Sequence, residues 1–269
     1  MGHRDIIVIG ASAGGVEVLL QLVASLPADL AATVFITLHV SPQSNSVLPQ
    51  LLARAGKLPV AHAIDGAALQ RGHVYVAPPA HHLLVRRGVL HLGRGPAENL
   101  HRPAIDPMFR SAAAAYEGRC IGVVLSGSLD DGTAGLAAVK QMGGYALVQD
   151  PAEAPYPSMP QSALDHVAVD QVVQVARLGD LLVQLTRAAV GEAGAGAGPG
   201  AAQVERYVRE ADMAQRGPVG QGEQAPVGVP SAFACPDCHG VLWELHEGKL
   251  VRYRCRVGHA YLPQSLAAA

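Results

Sequence analysis

Three residue types that cooperate in nucleophilic catalysis stand directly after short apolar runs in this chain: Ser12, His39 and the pair Asp130–Asp131. Serine, histidine and aspartate are the parts of a hydrolytic triad, in which the imidazole takes the serine proton and the carboxylate orients the imidazole. Ser12 lies in Gly10-Ala11-Ser12-Ala13-Gly14-Gly15 after Ile6–Ile9, and His39 follows Phe35-Ile36-Thr37-Leu38. The two aspartates follow Ile121–Leu125, in Ser126-Gly127-Ser128-Leu129-Asp130-Asp131-Gly132. In an open parallel α/β sheet such strand ends border one crevice. Gly10-x-Ser12-x-Gly14 satisfies the nucleophile-elbow pattern, and a helix starting there offers free N–H groups and a positive dipole end to a developing oxyanion. The competing reading of this loop is a dinucleotide cradle, which needs G-x-G-x-x-G and an acidic residue about 20 positions on. Here Ser12 stands at the second glycine and His39 at the second strand end. Singly, each residue has an ordinary explanation, an aspartate before a helix being a common N-cap. The set of three at matching positions points to hydrolysis.

A second constellation lies near the C-terminus. Cys235-x2-Cys238 and Cys255-x3-His259, separated by 16 residues, form two ligand pairs at zinc-ribbon spacing. Two pairs of soft or borderline ligands suit a closed, tetrahedral structural Zn²⁺. His239 competes as a ligand, but the knuckle pattern favours the cysteines; a redox CxxC or free thiols is the alternative. Leu242–Leu245 and Leu250–Tyr253 alternate like two short strands. A module of roughly 30 residues buries too little apolar surface to fold alone, so a metal is expected to supply what the core lacks. With Cys120 alone in a strand, the cysteines suit a reduced compartment better than disulfides. Other histidines (His62, His73, His81, His82, His91, His101) show no ligand spacing, and most read as surface or loop residues, His101 excepted.

The elements that must position these groups are legible as an alternation. Val16, Leu19, Leu20 and Val23 make one helical face ended by Pro27, Thr33–Leu38 reads as the second strand, and residues 47–55 as a short helix. Val74–Val76, Leu83–Val85 and Val89–Leu92 suggest strands, and Ile105–Tyr116 a helix. A helix from about Thr133 to Met142, strands at Tyr145–Gln149 and Val167–Val169, and a closing helix marked by Leu178, Leu181, Leu182 and Leu185 complete the pattern. This predicts an α/β fold, doubly wound, with a mainly parallel sheet and helices on both faces, plus a small C-terminal zinc-ribbon-like module. The expected division is residues 1–190 for the α/β domain, 191–230 for a flexible Gly/Ala/Pro-rich linker with a short exposed helix at Gln203–Met213, and 231–269 for the module.

In bulk, 269 residues with 49% hydrophobic content leave ample material for a core. No apolar run is long enough for a transmembrane helix or a signal-peptide h-region, so a cytoplasmic protein without membrane insertion is expected. A formal charge of −2 and no clustered Lys/Arg argue against nucleic-acid binding.

Ile9–Gly15, the strand ending in His39, Leu125–Gly127 through Asp131-Gly132, His101-Arg102-Pro103-Ala104-Ile105-Asp106-Pro107-Met108-Phe109 and Pro157-Ser158-Met159-Pro160 occur in the order found in chemotaxis receptor methylesterases. Over about residues 5–190 the chain resembles the catalytic domain of that family, CheB. The resemblance implies hydrolysis of glutamate γ-methyl esters, with deamidation of certain glutamines, on the cytoplasmic domains of methyl-accepting chemotaxis receptors, and no cofactor for catalysis. It implies Ser12 as nucleophile, His39 as general base then acid, and Asp131, next to Gly132, as the residue orienting His39. It also implies that Ser128 offers a backbone N–H to the oxyanion, and that Ala13, Arg102 and Met159 belong to the oxyanion and substrate-binding surroundings, Arg102 facing an acidic receptor surface.

Two departures stand out. The family usually has Gly-Met-Gly where this chain has Gly127-Ser128-Leu129, so Leu129 is expected to alter the loop or narrow the pocket. Ala13 often stands as threonine in the family. The family's larger members carry an N-terminal phosphorylatable receiver domain; with the first strand starting at Asp5, none is expected here, and control is expected from partners or from the C-terminal module. Two rivals remain open: a diverged esterase or amidase on a non-receptor substrate, and an idle scaffold binding a protein partner through the zinc module.

Overall fold

The computed structural model describes residues 2–190, 200–216 and 228–269. At its centre is a seven-stranded parallel sheet of β1 (Ile6–Ala11), β2 (Thr33–Leu38), β3 (Val60–His62), β4 (Val74–Val76), β7 (Cys120–Val124), β8 (Tyr145–Gln149) and β9 (Gln171–Val173), in the order β3-β4-β2-β1-β7-β8-β9. The antiparallel hairpin β5 (His82–Arg86) and β6 (Val89–Gly93) interrupts the winding. The strands nearest the centre are buried along their whole length, which is why they read as unbroken apolar runs rather than alternating ones. Ile7 and Ile9 pack with Leu19, Leu22, Leu52, Leu178 and Leu182 on one face of the sheet. These come from α1 (Gly15–Ser25), α2 (Leu48–Ala55) and α6 (Val175–Arg187). Val8 and Val148 pack with Phe109, Leu136 and Met159 on the other, from α3 (Ile105–Tyr116), α4 (Thr133–Gln141) and α5 (Ser158–His166). The doubly wound fold is therefore as expected.

The winding reverses around β1, with β2 on one side and β7 on the other. Ser12, His39 and the Asp130–Asp131 loop thus follow the carboxyl ends of three adjacent strands. Gly10 makes the site compact: a Cβ there would fall 2.3 Å from Ile105 Cγ2, so only glycine lets the N-terminus of α3 close onto the strand ends.

Several local expectations change. Val167–Val169 is not a strand; Val167 is the C-cap of α5, and the edge strand is β9. Polar flanks (Asp170, Gln171) carry that strand because an edge needs no apolar run. The helix expected at Gln203–Met213 is α7 (Ala201–Arg216), and it is not exposed: Tyr207, Glu210, Ala211 and Ala214 are buried. The linker reading at 191–202 and 217–230 falls mostly outside the described residues. His82 is fully buried rather than superficial. Its Nε2 lies 3.0 Å from the Pro96 carbonyl and its Nδ1 accepts from Ala104 N–H, fixing it as a neutral imidazole. Burial, set against the attraction of Glu98, lowers its pKa.

The C-terminal module is a four-stranded antiparallel sheet, β10 (Val229–Ala234), β11 (Val241–Glu247), β12 (Leu250–Cys255) and β13 (Ala260–Tyr261), ending in the single turn α8 (Pro263–Ala267). It is docked against the larger domain through a buried ion cluster. Glu210 of α7 accepts two hydrogen bonds from Arg252, at 2.9 and 2.8 Å, and one from Arg254 at 3.1 Å. Arg110 of α3 lies 3.1 Å from Glu210 and 2.5 Å from Glu98, and Arg254 reaches Glu98 at 3.3 Å. Alternating signs allow these charges to be buried together.

Candidate active site and metal centre

The hydroxyl of Ser12 and Nδ1 of His39 are 3.0 Å apart, and His39 Nε2 is 2.7 Å from Asp131 Oδ2. With Asp131 ionised, Nε2 carries the proton it donates to the carboxylate. Nδ1 is then the free base that accepts from Ser12. Asp131 is buried, and burial alone would favour its neutral form. The hydrogen bond and charge of His39, then the Ile105 N–H and the Asn99 amide, outweigh burial and hold its pKa well below the usual carboxylate range. The donors come from Ile105 N at 2.7 Å, Asn99 Nδ2 at 2.8 Å, Gly132 N at 2.9 Å and Asp106 N at 3.2 Å. Two of these are the first amides of α3, whose Ala104 N-cap has no side-chain cap, so Asp131 caps that helix from another segment.

Asp130 turns the other way. It accepts from the amides of Gln264 and Ser265, and from the Ser265 hydroxyl, and so caps α8 of the C-terminal module. Geometry thus separates the two adjacent aspartates: Asp131 faces His39, Asp130 does not. Asp106 is the second carboxylate near the triad, bonded to the Gly135 amide at 2.6 Å and to Asn99 Nδ2 at 2.9 Å. Burial and the neighbouring charge of Asp131 push its pKa up to about 8. Asp106 therefore carries the proton while Asp131 carries the charge.

Ala13 follows Ser12 at the mouth of α1. The amides of Ser12, Gly15 and Gly127 are spent on the carbonyls of Ser126, Ser12 and Tyr156, while that of Ala13 has no such carbonyl partner among the described residues. Met159 is fully buried behind the nucleophile loop: a Cβ on Gly127 would lie 2.1 Å from Met159 Sδ and 2.9 Å from Ser12 Cβ. Ser128 is exposed on the loop tip. Leu129 has φ 65, a left-handed conformation that glycine takes without cost. The loop thus keeps a backbone shape suited to glycine despite the substitution. Arg102 is drawn into the protein's own backbone, donating to Gly95 O at 2.8 Å and Arg94 O at 3.3 Å.

Two contributions escaped sequence reasoning, although His101 stands in a motif the resemblance places near the site. The His101 ring stacks on His39 with centroids 3.6 Å apart and planes inclined by 17°. Burial, then the proximity of His39, lowers its pKa to about 4, so it lies on the His39 imidazole as a neutral plate. Asn99 bridges Asp131 and Asp106. Only the left-handed φ of Asn99 and Leu100, 49 and 70, marks the turn, and sequence carries no sign of it beyond an asparagine's tolerance of that conformation.

Cys235, Cys238, Cys255 and His259 converge, with their ligand atoms all within 4.8 Å of one another. Cys238 Sγ and Cys255 Sγ are 3.6 Å apart, and His259 Nδ1 lies 3.7 and 3.5 Å from Cys235 Sγ and Cys255 Sγ. The edge of a tetrahedron with metal–sulfur bonds of about 2.3 Å is about 3.8 Å, so the set fits Zn²⁺. Burial and the facing Cys235 push the Cys255 thiol up to about 12, so binding of a cation here would displace a thiol proton. His259 Nε2 faces Asp237 at 4.0 Å, in the manner of a carboxylate that orients a ligand imidazole. His239 is not part of the cluster.

The family described as CheB methylesterase matches residues 7–182. A Leptospira interrogans protein provisionally named protein-glutamate methylesterase/protein-glutamine glutaminase is 34% identical over 184 residues, which cover 68% of this chain and 95% of that protein. Protein-glutamate methylesterase/protein-glutamine glutaminase 2 of Pseudomonas aeruginosa is 38% identical over 188 residues, 68% of this chain. The match spans about half of that longer relative, 54%. The crystal structure of the Thermotoga maritima CheB methylesterase catalytic domain superposes with a TM-score of 0.65 at 31% identity, covering 69% of this chain and 99% of that one. The family match, the sequence identity to its members and the superposition agree: the chain belongs to the CheB methylesterase family.

Proposed function

We propose that this protein is a serine hydrolase that demethylates glutamate γ-methyl esters, and deamidates glutamines, on the cytoplasmic domains of methyl-accepting chemotaxis receptors. The observation that carries this is the continuous hydrogen-bonded chain Ser12–His39–Asp131. Ser12 Oγ attacks the ester carbonyl carbon as its proton passes to His39 Nδ1, and the imidazolium that forms is stabilised by Asp131. The oxyanion meets the Ala13 N–H at the start of α1, with the Ser128 backbone on the facing loop. Collapse breaks the carbon–methoxy bond, His39 returns its proton to methanol, and water, activated by the same imidazole, releases the glutamate. Deamidation follows the same course with ammonia leaving. No step requires a cofactor.

Cys235, Cys238, Cys255 and His259 would hold a structural Zn²⁺, whose chemistry is to tie β10, β12 and the turn before β13 into one unit. Such receptors present their methylation sites in the cytoplasm, and no described helix is long and apolar enough to cross a membrane. The test is methanol release from a receptor cytoplasmic fragment carrying γ-methyl esters. Release by the wild type and none by Ser12→Ala supports the proposal; equal release by the variant rejects it.

A further inference from the structure

The C-terminal module reaches the catalytic aspartate through two side chains. Asn99 donates from Nδ2 to Asp131 and to Asp106, while its Oδ1 accepts from the Leu262 amide at 2.8 Å. Its own N–H donates to the Ala260 carbonyl at 2.8 Å. One amide thereby joins β13, and the residue leading into α8, to the carboxylate that orients His39. The next links are equally short. Glu98, preceding Asn99, is tied to Arg254 of β12, and His101 stacks on His39. On the far side, Asp130 fastens α8 to the loop that ends in Asp131.

The backbone of this splint is held in an uncommon state. Asn99 and Leu100 both carry Cβ atoms and both have positive φ, a conformation that persists only where contacts over-determine it. Two of those contacts come from the module, the others from Asp131, Asp106 and the Glu98–His101 turn: Ala260 directly follows His259, Leu262 stands two residues further on, and the His259 carbonyl accepts from Cys255 N. The turn that launches β13 is thus the same turn that supplies two of the four metal ligands.

We propose that the C-terminal module is an internal brace of the active site, and that Asn99 is the positioning residue through which metal occupancy sets the reactivity of Ser12. This rests on the hydrolase reading above. With the metal bound, Ala260 and Leu262 hold Asn99 and the segment 98–106 keeps Asp131 and His39 in line. Without it, β13 loosens, Asn99 relaxes from the left-handed region, and Asp131 loses a donor and the fixed approach of the Ile105 amide. The module is then a control element for the triad within the same chain.

The test uses the full chain, with Zn²⁺ bound and after chelation, and reads two quantities. The first is Ser12 labelling by a fluorophosphonate; the second is hydrogen exchange at the amides of Asn99, Ile105 and Asp106, with those of β1 and β7 as a check on the fold. Chelation is expected to slow the limiting rate of labelling about tenfold or more, without changing the half-saturating concentration. It should expose the 98–106 amides, leave β1 and β7 protected, and be reversed by Zn²⁺. Asn99→Ala with metal bound should show the same loss in limiting rate, and chelation should then add less than about threefold. Unchanged labelling or unchanged protection of 98–106 on chelation overturns the proposal, as do losses that simply multiply. Should chelation also expose β1 and β7, metal-loaded Asn99→Ala decides, and a wild-type labelling rate there overturns it. Absence of labelling in every form, wild type included, would instead remove the hydrolase reading and the proposal with it.

Discussion

Substituting Gly127 by alanine places one methyl group between Ser12, the proposed nucleophile, and Met159. The new Cβ would lie 2.9 Å from Ser12 Cβ and 2.1 Å from Met159 Sδ, against about 3.5–4.0 Å for carbon atoms in ordinary contact. The loop cannot back away freely, because Gly127 N donates to Tyr156 O and Gly127 O accepts from Met159 N. The thioether is flexible and can swing aside; Ser12 Cβ moves only with the strand-end turn. Ser12 must therefore shift by roughly 0.6 Å, and since about 1 Å of misplacement costs on the order of 100-fold, kcat should fall about 10- to 30-fold. Overpacking should also remove about 1–3 kcal/mol of stability. The double variant Gly127→Ala/Met159→Ala separates the two contacts. It should recover part of the stability, because the methyl fills some of the space left by the sulfur, yet recover little activity, because the Ser12 contact remains. Methanol release and denaturant unfolding read both quantities. A Gly127→Ala variant within twofold of wild-type kcat, or one fully rescued by Met159→Ala, would refute the reasoning.

Leu129→Gly removes a Cβ from a left-handed position, relieving about 1–2 kcal/mol of strain against about 0.4–1 kcal/mol of added unfolded-state entropy. A net gain of about 0.5–1 kcal/mol is expected in urea unfolding, and a loss beyond about 1 kcal/mol would contradict it. Glu210→Ala leaves Arg252, Arg254 and Arg110 with buried, uncompensated charge and should cost about 3–5 kcal/mol by the same measurement; a loss under about 1 kcal/mol would show the cluster to be screened. Asp106 has a raised folded-state pKa, about 8, through burial and Asp131. The folded protein therefore holds a proton that the unfolded chain releases above about 4. That group's stabilisation is present below the unfolded value and is lost as pH rises toward 8. Asp106→Asn should accordingly gain stability over wild type as pH rises from 4 to 8, and a pH-independent difference would contradict the assignment.

Much of the site was legible because parallel-sheet strands are buried on both faces and announce themselves as apolar runs, so the residue after each run falls at a common edge. Ser12, His39 and the Asp130–Asp131 pair are legible in that way, and the Cys235–His259 cluster by spacing alone. Assigning Asp131 needed the family pattern, since two adjacent aspartates look alike until one is seen capping α3 and the other α8. Contributions from backbone and from irregular loops were not legible. The Ile105 amide has no sequence signature, and the stacking of His101 on His39 depends on how a loop folds back. Tyr207 and Glu210 depart from the expected exposed helix, because a helix rich in Arg and Glu reads as solvated. Here one of those charges, Glu210, is buried against Arg252, Arg254 and Arg110. The docking of the module onto Asn99 and Asp130 involves residues more than a hundred positions apart, and no local pattern encodes it.

The central claim is that Ser12 forms a covalent ester with the receptor glutamate. Acid quenching of the protein during turnover of a γ-methyl-ester receptor peptide, followed by proteolysis and mass spectrometry, tests it directly. The account predicts that the fragment containing Ser12 gains the mass of the substrate peptide less methanol, and that this adduct is absent in Ser12→Ala and scarce in His39→Ala. An adduct on another residue, or methanol released at the wild-type rate by Ser12→Ala, would contradict it.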